Sequence, residues 1–171
     1  MTTGARKWSV ALHEELGRQG LSPSSGRHPH PGFTSQRLHL AIFVEPYLSL
    51  ILDGLKTIES RFSMYRLAPF DKVARGDWIL LKHSGGPIVG MCDVSTVRYL
   101  DGAAIDAAAI SRRYARATCM EERELRARLR SARYVTFLGI KRVRELEPFE
   151  CGKRDRRGWV VVEPISATAH R

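Results

Sequence analysis

Lys56, Glu59 and Arg61 carry the densest chemistry in this 171-residue chain. They stand in the stretch Gly54-Leu55-Lys56-Thr57-Ile58-Glu59-Ser60-Arg61, the pattern Gly-x-Lys-x-x-Glu-x-Arg. A Lys ammonium can neutralise a phosphate or donate to a base carbonyl. An Arg guanidinium can fork to a phosphate or lie flat on a base. A Glu can accept from an exocyclic amine or hold the Arg in place. Lys56 and Glu59 are also the candidate acid–base pair for a hydrolytic reaction. The competing structural reading is a same-face ion pair between Glu59 and Arg61 that only fixes a strand.

Such a group needs a helix end and a strand to hold it. Tyr47, Leu48, Leu50, Ile51 and Leu52 make a short apolar helix, and Gly54 closes it by tolerating left-handed backbone. A strand from Thr57 to Phe62 follows, in which alternate residues share a face. Thr57, Glu59 and Arg61 then point one way, and Ile58, Ser60 and Phe62 the other. Ile58 and Phe62 need a core, which leaves Glu59 and Arg61 on a polar face or in a cleft.

The remaining elements follow from hydrophobic period and turn chemistry. Leu38–Val44 alternates as a strand, and Glu45-Pro46 opens the helix. Residues 63–77 form a loop ending at Arg75-Gly76-Asp77. Strands Trp78–Lys82 and Ile88–Tyr99 flank a Ser84-Gly85-Gly86-Pro87 turn. Asp101–Leu129 is helical in composition, with a break expected near Ile110–Ser111. Strand Tyr134–Val143, a basic loop Cys151–Arg157 and strand Gly158–Glu163 complete the set. The expected class is α+β, a small β-barrel of five to six mostly antiparallel strands with flanking helices. Residues 1–37 are expected as a flexible N-terminal extension, with Trp8, Leu12 and Leu16 at helical spacing before a Pro-, Gly-, Ser- and His-rich linker at 20–37. The domain is expected over 38–165, and a C-terminal tail over 166–171.

The net charge of +10 is unevenly placed. Residues 111–157 hold fifteen cations against seven anions, +8 of the total. A local basic surface favours a polyanion through phosphate contacts and counterion release. Arg123, Arg126 and Arg130, with Arg133, recur at spacings of three and four, one face of a helix. Glu121, Glu122 and Glu124 offer intrahelical partners instead. Arg154, Arg156 and Arg157, with Lys153, precede Trp159, a combination that suits single-stranded nucleic acid. The alternative is a core Trp159 and solvated arginines. Arg also outnumbers Lys 22 to 6, as a GC-rich genome produces.

Other features point to less. Ser84 and Gly85, beside Lys82, can form an anion nest that extends the cleft, although a plain hairpin turn is favoured. Trp78 and Cys92 are expected in the core. The three cysteines, Cys92, Cys119 and Cys151, have no paired spacing, so reduced thiols and a cytoplasmic location are expected. No metal site and no cofactor are implied. No apolar run approaches the roughly 18 residues of a membrane helix, and no secretion signal is visible, so no membrane partner is expected.

The order strand, Pro46-Tyr47-led helix, Gly54-x-Lys56-x-x-Glu59-x-Arg61, Gly76-Asp77 before an apolar strand, and a returning strand with Gly90 resembles the ASCH domain family over roughly residues 38–163. The resemblance implies a PUA-like barrel and binding of RNA or a modified nucleotide, with Lys56, Glu59 and Arg61 lining a cleft. It also implies a runner-up, since a minority of the family are hydrolases, an acetylcytidine amidohydrolase and a ribonuclease among them. The amidohydrolases use a Lys, a Thr and a Glu. The Lys matches Lys56, but the Thr falls at Glu59 and the Glu near Thr118. Thr57 sits one residue after Lys56, not at the family position. That departure argues against amidase chemistry and leaves a Lys56–Glu59 pair as the hydrolytic alternative.

Overall fold

The computed structural model describes residues 3–21, 36–152 and 157–162. The elements run α1 (Thr3–Arg18), β1 (Leu38–Phe43), α2 (Tyr47–Leu52), β2 (Ile58–Ser63), β3 (Trp78–His83), β4 (Ile88–Asp101), a 3-10 turn (Gly102–Ala104), α3 (Ala107–Thr118), α4 (Glu122–Arg130), β5 (Tyr134–Phe149) and β6 (Trp159–Val162). The six strands form one sheet in the order β2-β5-β4-β3-β1-β6. Strands β1 and β3 are parallel, and the other neighbouring pairs are antiparallel. The sheet curls into a half-barrel, and with the helices around it the architecture is α+β. Strands β2 and β6 are its two edges.

Strand alternation sorts the core into three bodies. The inner body joins Ala41, Phe43, Ile79, Leu81, Cys92, Val94, Leu138 and Trp159 with Leu48 and Ile51 of α2. On the opposite sheet face, Leu38, Leu40, Leu80, Met91, Val160 and Val162 meet Leu12 and Leu16 of α1. A third body places Leu125 and Leu129 of α4 and Ile110 of α3 over Val135 and Phe137, with Ile58 and Phe62 of β2 packed against it. Ile58 and Phe62 thus face the helices, and Glu59 and Arg61 face inward, as the alternation requires.

Two expectations need correction. Residues 1–37 were set apart from the folded part, yet α1 buries Leu12 and Leu16 to 1% exposure each. An amphipathic stripe of Trp8, Leu12 and Leu16 covers an otherwise exposed apolar sheet face. Most of the linker (22–35), and the tail from 163, lie outside the described residues. The helix break falls at Cys119–Glu121 instead of Ile110–Ser111. Cys119 adopts left-handed backbone (φ 53°) and its N–H returns to Arg116 O, which stops α3. At the other end, the Asp106 carboxylate accepts from the N–H groups of Ala108 and Ala109, so α3 begins there and not at Asp101.

Candidate functional site

The turn after α2 delivers Lys56 into the molecule. Gly54 takes φ 72°, and the Lys56 N–H donates to Leu50 O at 2.8 Å, folding the chain back across the helix end. Lys56 is 1% exposed. Its Nζ donates to Ile58 O and to Thr118 O, both at 2.9 Å, and lies 3.4 Å from Glu59 Oε2. Three acceptors occupy the three donors of an ammonium. Nζ also sits 5.3 Å from the Tyr47 ring centre. Burial pushes the Lys56 pKa down from 10.5, opposed by the Glu59 charge. Burial, then the nearby Glu124 carboxylate, pushes the Tyr47 hydroxyl up.

Glu59 is 5% exposed and stands between two cations. Its Oε1 lies 2.7 Å from Arg61 Nε, a charge contact in which the N–H is not aligned for a hydrogen bond. Arg61 then spans the gap between the two sheet edges. From β2, its Nη2 donates to Ile42 O of β1 at 2.9 Å, and its Nη1 faces Gly158 O, just before β6, at 3.5 Å. No backbone ladder joins these edges. The guanidinium is held between aromatic rings, 5.1 Å from the Phe43 centre and 5.3 Å from that of Trp159.

A cleft of about 190 Å³ opens at this seam. Arg61, Phe62 and Ser63 of β2, Leu67 to Phe70 of the following loop, Tyr134 and Thr136 of β5, and Gly158-Trp159 line it. Arg61 keeps a quarter of its side chain exposed here. Neither Lys56 nor Glu59 lines the cleft, so the expected three-residue cleft reduces to one exposed cation with two buried supports. Around the mouth, Met64, Tyr65 and Leu67 are exposed.

Trp159 is 4% exposed, so it walls the cleft from within the core. Its Nε1 donates to His39 Nδ1 at 3.2 Å, and His39 Nε2 meets Asp77 Oδ2 at 2.9 Å. An indole can only donate, so a neutral His39 carries its proton on Nε2. Burial alone would raise the Asp77 carboxyl. Hydrogen bonds from His39 and from the N–H groups of Ala74 and Arg37 outweigh that and hold it below 3.8.

The other expected residues are dispersed. Lys82 is buried, and its Nζ donates to Gly86 O and His83 O within its own hairpin. Ser84 N donates to Phe43 O at the end of β1 and Gly86 N to His83 O within the turn, so these N–H groups are taken by the protein's own carbonyls. Gly85 takes the left-handed position (φ 75°) of that turn. None of Lys82, Ser84 and Gly85 lines the seam cleft, which corrects the expected extension. Arg123, Arg126 and Arg130 share one face of α4, along an open groove of about 500 Å³ with Glu122 and Ala127. Arg126 pairs with Glu122, whereas Arg123 and Arg130 have no ion pair among the described residues. Arg157 directly precedes Gly158 at the cleft edge. Arg154 and Arg156 lie outside the described residues. Thr118 reaches the site through its carbonyl only, while its hydroxyl bonds back to Tyr114 O and Ala115 O. The buried Cys92 thiol is pushed up by burial, consistent with an inert core thiol. Among the described residues no His, Cys, Asp or Glu cluster could hold a metal.

Sequence reasoning missed Phe43, Trp159 as a cleft wall, the Leu67–Phe70 segment, Tyr134 and Thr136. Their convergence depends on strand pairing, in which Arg61 stands opposite Thr136 and Ala41 opposite Trp159.

A family model described as ASCH domain matches residues 42–166. Solved structures similar in fold include an ASCH protein from Zymomonas mobilis, with 14% identity over 74% of this chain and 87% of that one, and a TM-score of 0.59. A serine-to-alanine variant of that protein aligns at 13% identity over 77% and 92%, with a TM-score of 0.60. A tyrosine-to-phenylalanine variant aligns at 13% identity over 75% and 91%, with a TM-score of 0.59. No curated protein matches the chain in sequence.

Proposed function

The chain belongs to the ASCH domain family, and on that premise we propose that it binds nucleic acid, RNA in the first instance, by seating one base or modified nucleotide in the seam cleft at Arg61. The observation that carries this reading is the cleft's composition. It holds one exposed guanidinium among apolar and aromatic walls, a setting that suits a planar ring with a polar edge. At about 190 Å³ it is smaller than the roughly 300–1,000 Å³ of sites for larger ligands, which suits a single ring system. A cation stands beside the cleft, since Arg133 lies 5.5 Å from the ring centre of the cleft residue Tyr134. Arg123 and Arg130 on α4 add sequence-independent phosphate affinity.

The hydrolase reading has one observation in its favour, the lowered Lys56 pKa beside a carboxylate. Catalysis needs that nitrogen to reach substrate, and Lys56 is enclosed with its donors engaged. Binding is therefore the reading we carry forward.

Fluorescence anisotropy with a labelled single-stranded RNA across a salt series tests it. Leu67→Glu is the informative variant, because Leu67 lines the cleft while 61% exposed, so folding should survive. The expected result is salt-sensitive binding, weakened about tenfold or more by Leu67→Glu, with the RNA intact. Unchanged affinity in the variant would place the contact elsewhere, and cleaved RNA would restore the hydrolase.

A further inference from the structure

We infer that the Tyr65 ring is a second base platform at the rim of the cleft, so that the ligand is an unpaired strand of two or more nucleotides and not an isolated nucleotide; this rests on the cleft reading above and extends it. Among the described residues, Tyr65 is the most exposed of the large apolar side chains at 74%, and Met64 and Leu67 beside it are exposed too. Ser63 and Leu67, on either side of it in the chain, both line the cleft, which puts Tyr65 at its edge. The fold has no use for this ring. It enters none of the three core bodies, and among the described residues it has no ring partner and its hydroxyl has no hydrogen bond. The backbone beneath it is nevertheless held. The Tyr65 N–H donates to Ser63 Oγ at 3.0 Å, and the Leu67 N–H donates to Tyr65 O at 2.9 Å. Arg66 pairs with Asp71 across the loop. Phe70 anchors the far end, with its ring centre 5.1 Å from that of Tyr99 and 5.0 Å from that of Tyr134. A ring presented on a fixed turn costs little ordering when a partner arrives.

Two observations choose the occupant. The exposed patch is one stretch of loop, Met64 to Leu67, against the roughly 20–30 residues a side of a stable protein interface. A second copy of the chain or a folded partner would have too little to hold. The charge has the sign for a polyanion, with +10 on the chain and Arg133 beside the cleft residue Tyr134. A nucleic-acid strand meets both conditions. The base next to the one in the cleft is tethered by a single phosphate link, and it needs only one ring face to stack on. Such stacking tolerates any base, so the platform adds affinity without adding base choice. A duplex keeps its base faces inside its own stack, so only an unpaired strand can use Tyr65.

Fluorescence anisotropy of the full chain tests the inference, with a labelled RNA of about eight nucleotides offered as a single strand and as a duplex. Tyr65→Ala should weaken the single strand about fivefold or more and leave the duplex within about twofold. Tyr65→Phe should keep the wild-type affinity, because the ring face and not the hydroxyl makes the contact. Tyr65→Trp should bind at least as well as wild type, and its added emission should be quenched as the single strand is titrated in. Equal losses in the Ala and Phe variants, or a loss shared by the duplex, would overturn stacking on the ring. Single-strand affinity unchanged in Tyr65→Ala would overturn the platform, and if Leu67→Glu still weakened binding the cleft reading would stand alone. Dimerisation or anionic-vesicle binding that Tyr65→Ala abolishes, with RNA binding unchanged, would give the patch to that partner and overturn the inference. If the RNA does not bind, or neither variant alters its affinity, the cleft reading and the inference built on it both fall.

Discussion

Arg61 on one edge of the half-barrel donates to the Ile42 carbonyl near the other edge, Nη2 to O at 2.9 Å, across a gap that no strand pairing closes. One side chain therefore does two jobs. It clasps the seam, and its remaining donors supply the polar floor of the cleft at that seam. Its position is set by Glu59 behind it and by the Phe43 and Trp159 rings beside it. Those supports hold the guanidinium in one place, unlike a mobile surface arginine.

Removing the shared carboxylate should destabilise the fold. Glu59→Gln leaves Lys56 buried without its counter-charge and is expected to cost about 3 kcal/mol, near the low end for breaking a buried pair because Arg61 keeps some solvent. Lys56→Met keeps the stem volume but strips a donor from Ile58 O and Thr118 O. Urea denaturation of both single variants and the double checks the coupling. The double change should cost at least about 0.5 kcal/mol less than the sum of the singles.

Stability should rise with pH at both ends of the range. Asp77 has a folded value below 3.8, so its contribution is complete above 3.8 and disappears as pH falls through the folded value. Lys56 has a folded value below 10.5, so between that value and 10.5 the folded state binds fewer protons than the unfolded one. Stability then increases with pH in that window. Melting temperature against pH should lose its acid limb in Asp77→Asn and its alkaline rise in Lys56→Met.

The N-terminal helix should be part of the stable unit. Leu12 and Leu16 are each 1% exposed and pack with Leu38, Leu40 and Val160. Leu12→Ala or Leu16→Ala is expected to cost about 2–5 kcal/mol in denaturant titration. A loss under 0.5 kcal/mol would show a detachable tail.

Much of this fold was legible because β3 and the first half of β4 are apolar runs bounded by turn residues, β2 alternates apolar with polar residues, and Gly54 marks the end of α2. The alternation of β2 correctly separated Ile58 and Phe62 from Glu59 and Arg61. What alternation cannot say is how far inside a polar face lies. Glu59 and Lys56 read as ligand-facing, yet the curl of the sheet encloses them. Cleft walls such as Trp159 and Tyr134 stand far from Arg61 in sequence, and pairing alone brings them together. The α3–α4 break was misplaced because Ile110-Ser111 is a weaker helix former than its alanine-rich surroundings. A left-handed Cys119 has no sequence signature comparable to a glycine.

The α4 arginines should act on salt dependence and not on base choice. Arg123 and Arg130 have no ion pair among the described residues, so each is available to a phosphate. Replacing both with Ala should reduce the slope of log affinity against log salt by about 0.7 per lost single-strand contact. Relative affinities among bases should stay unchanged.

The most direct test of the central claim is an NMR titration of the isotope-labelled chain with a short single-stranded RNA. The account expects the largest shifts at the Arg61 Nε–H, the Trp159 indole N–H and the amides of Ser63, Leu67, Thr136 and Gly158, with smaller shifts on α4. Shifts confined to α4, with the Arg61 and Trp159 side-chain signals unmoved, would contradict a base-binding cleft at the seam.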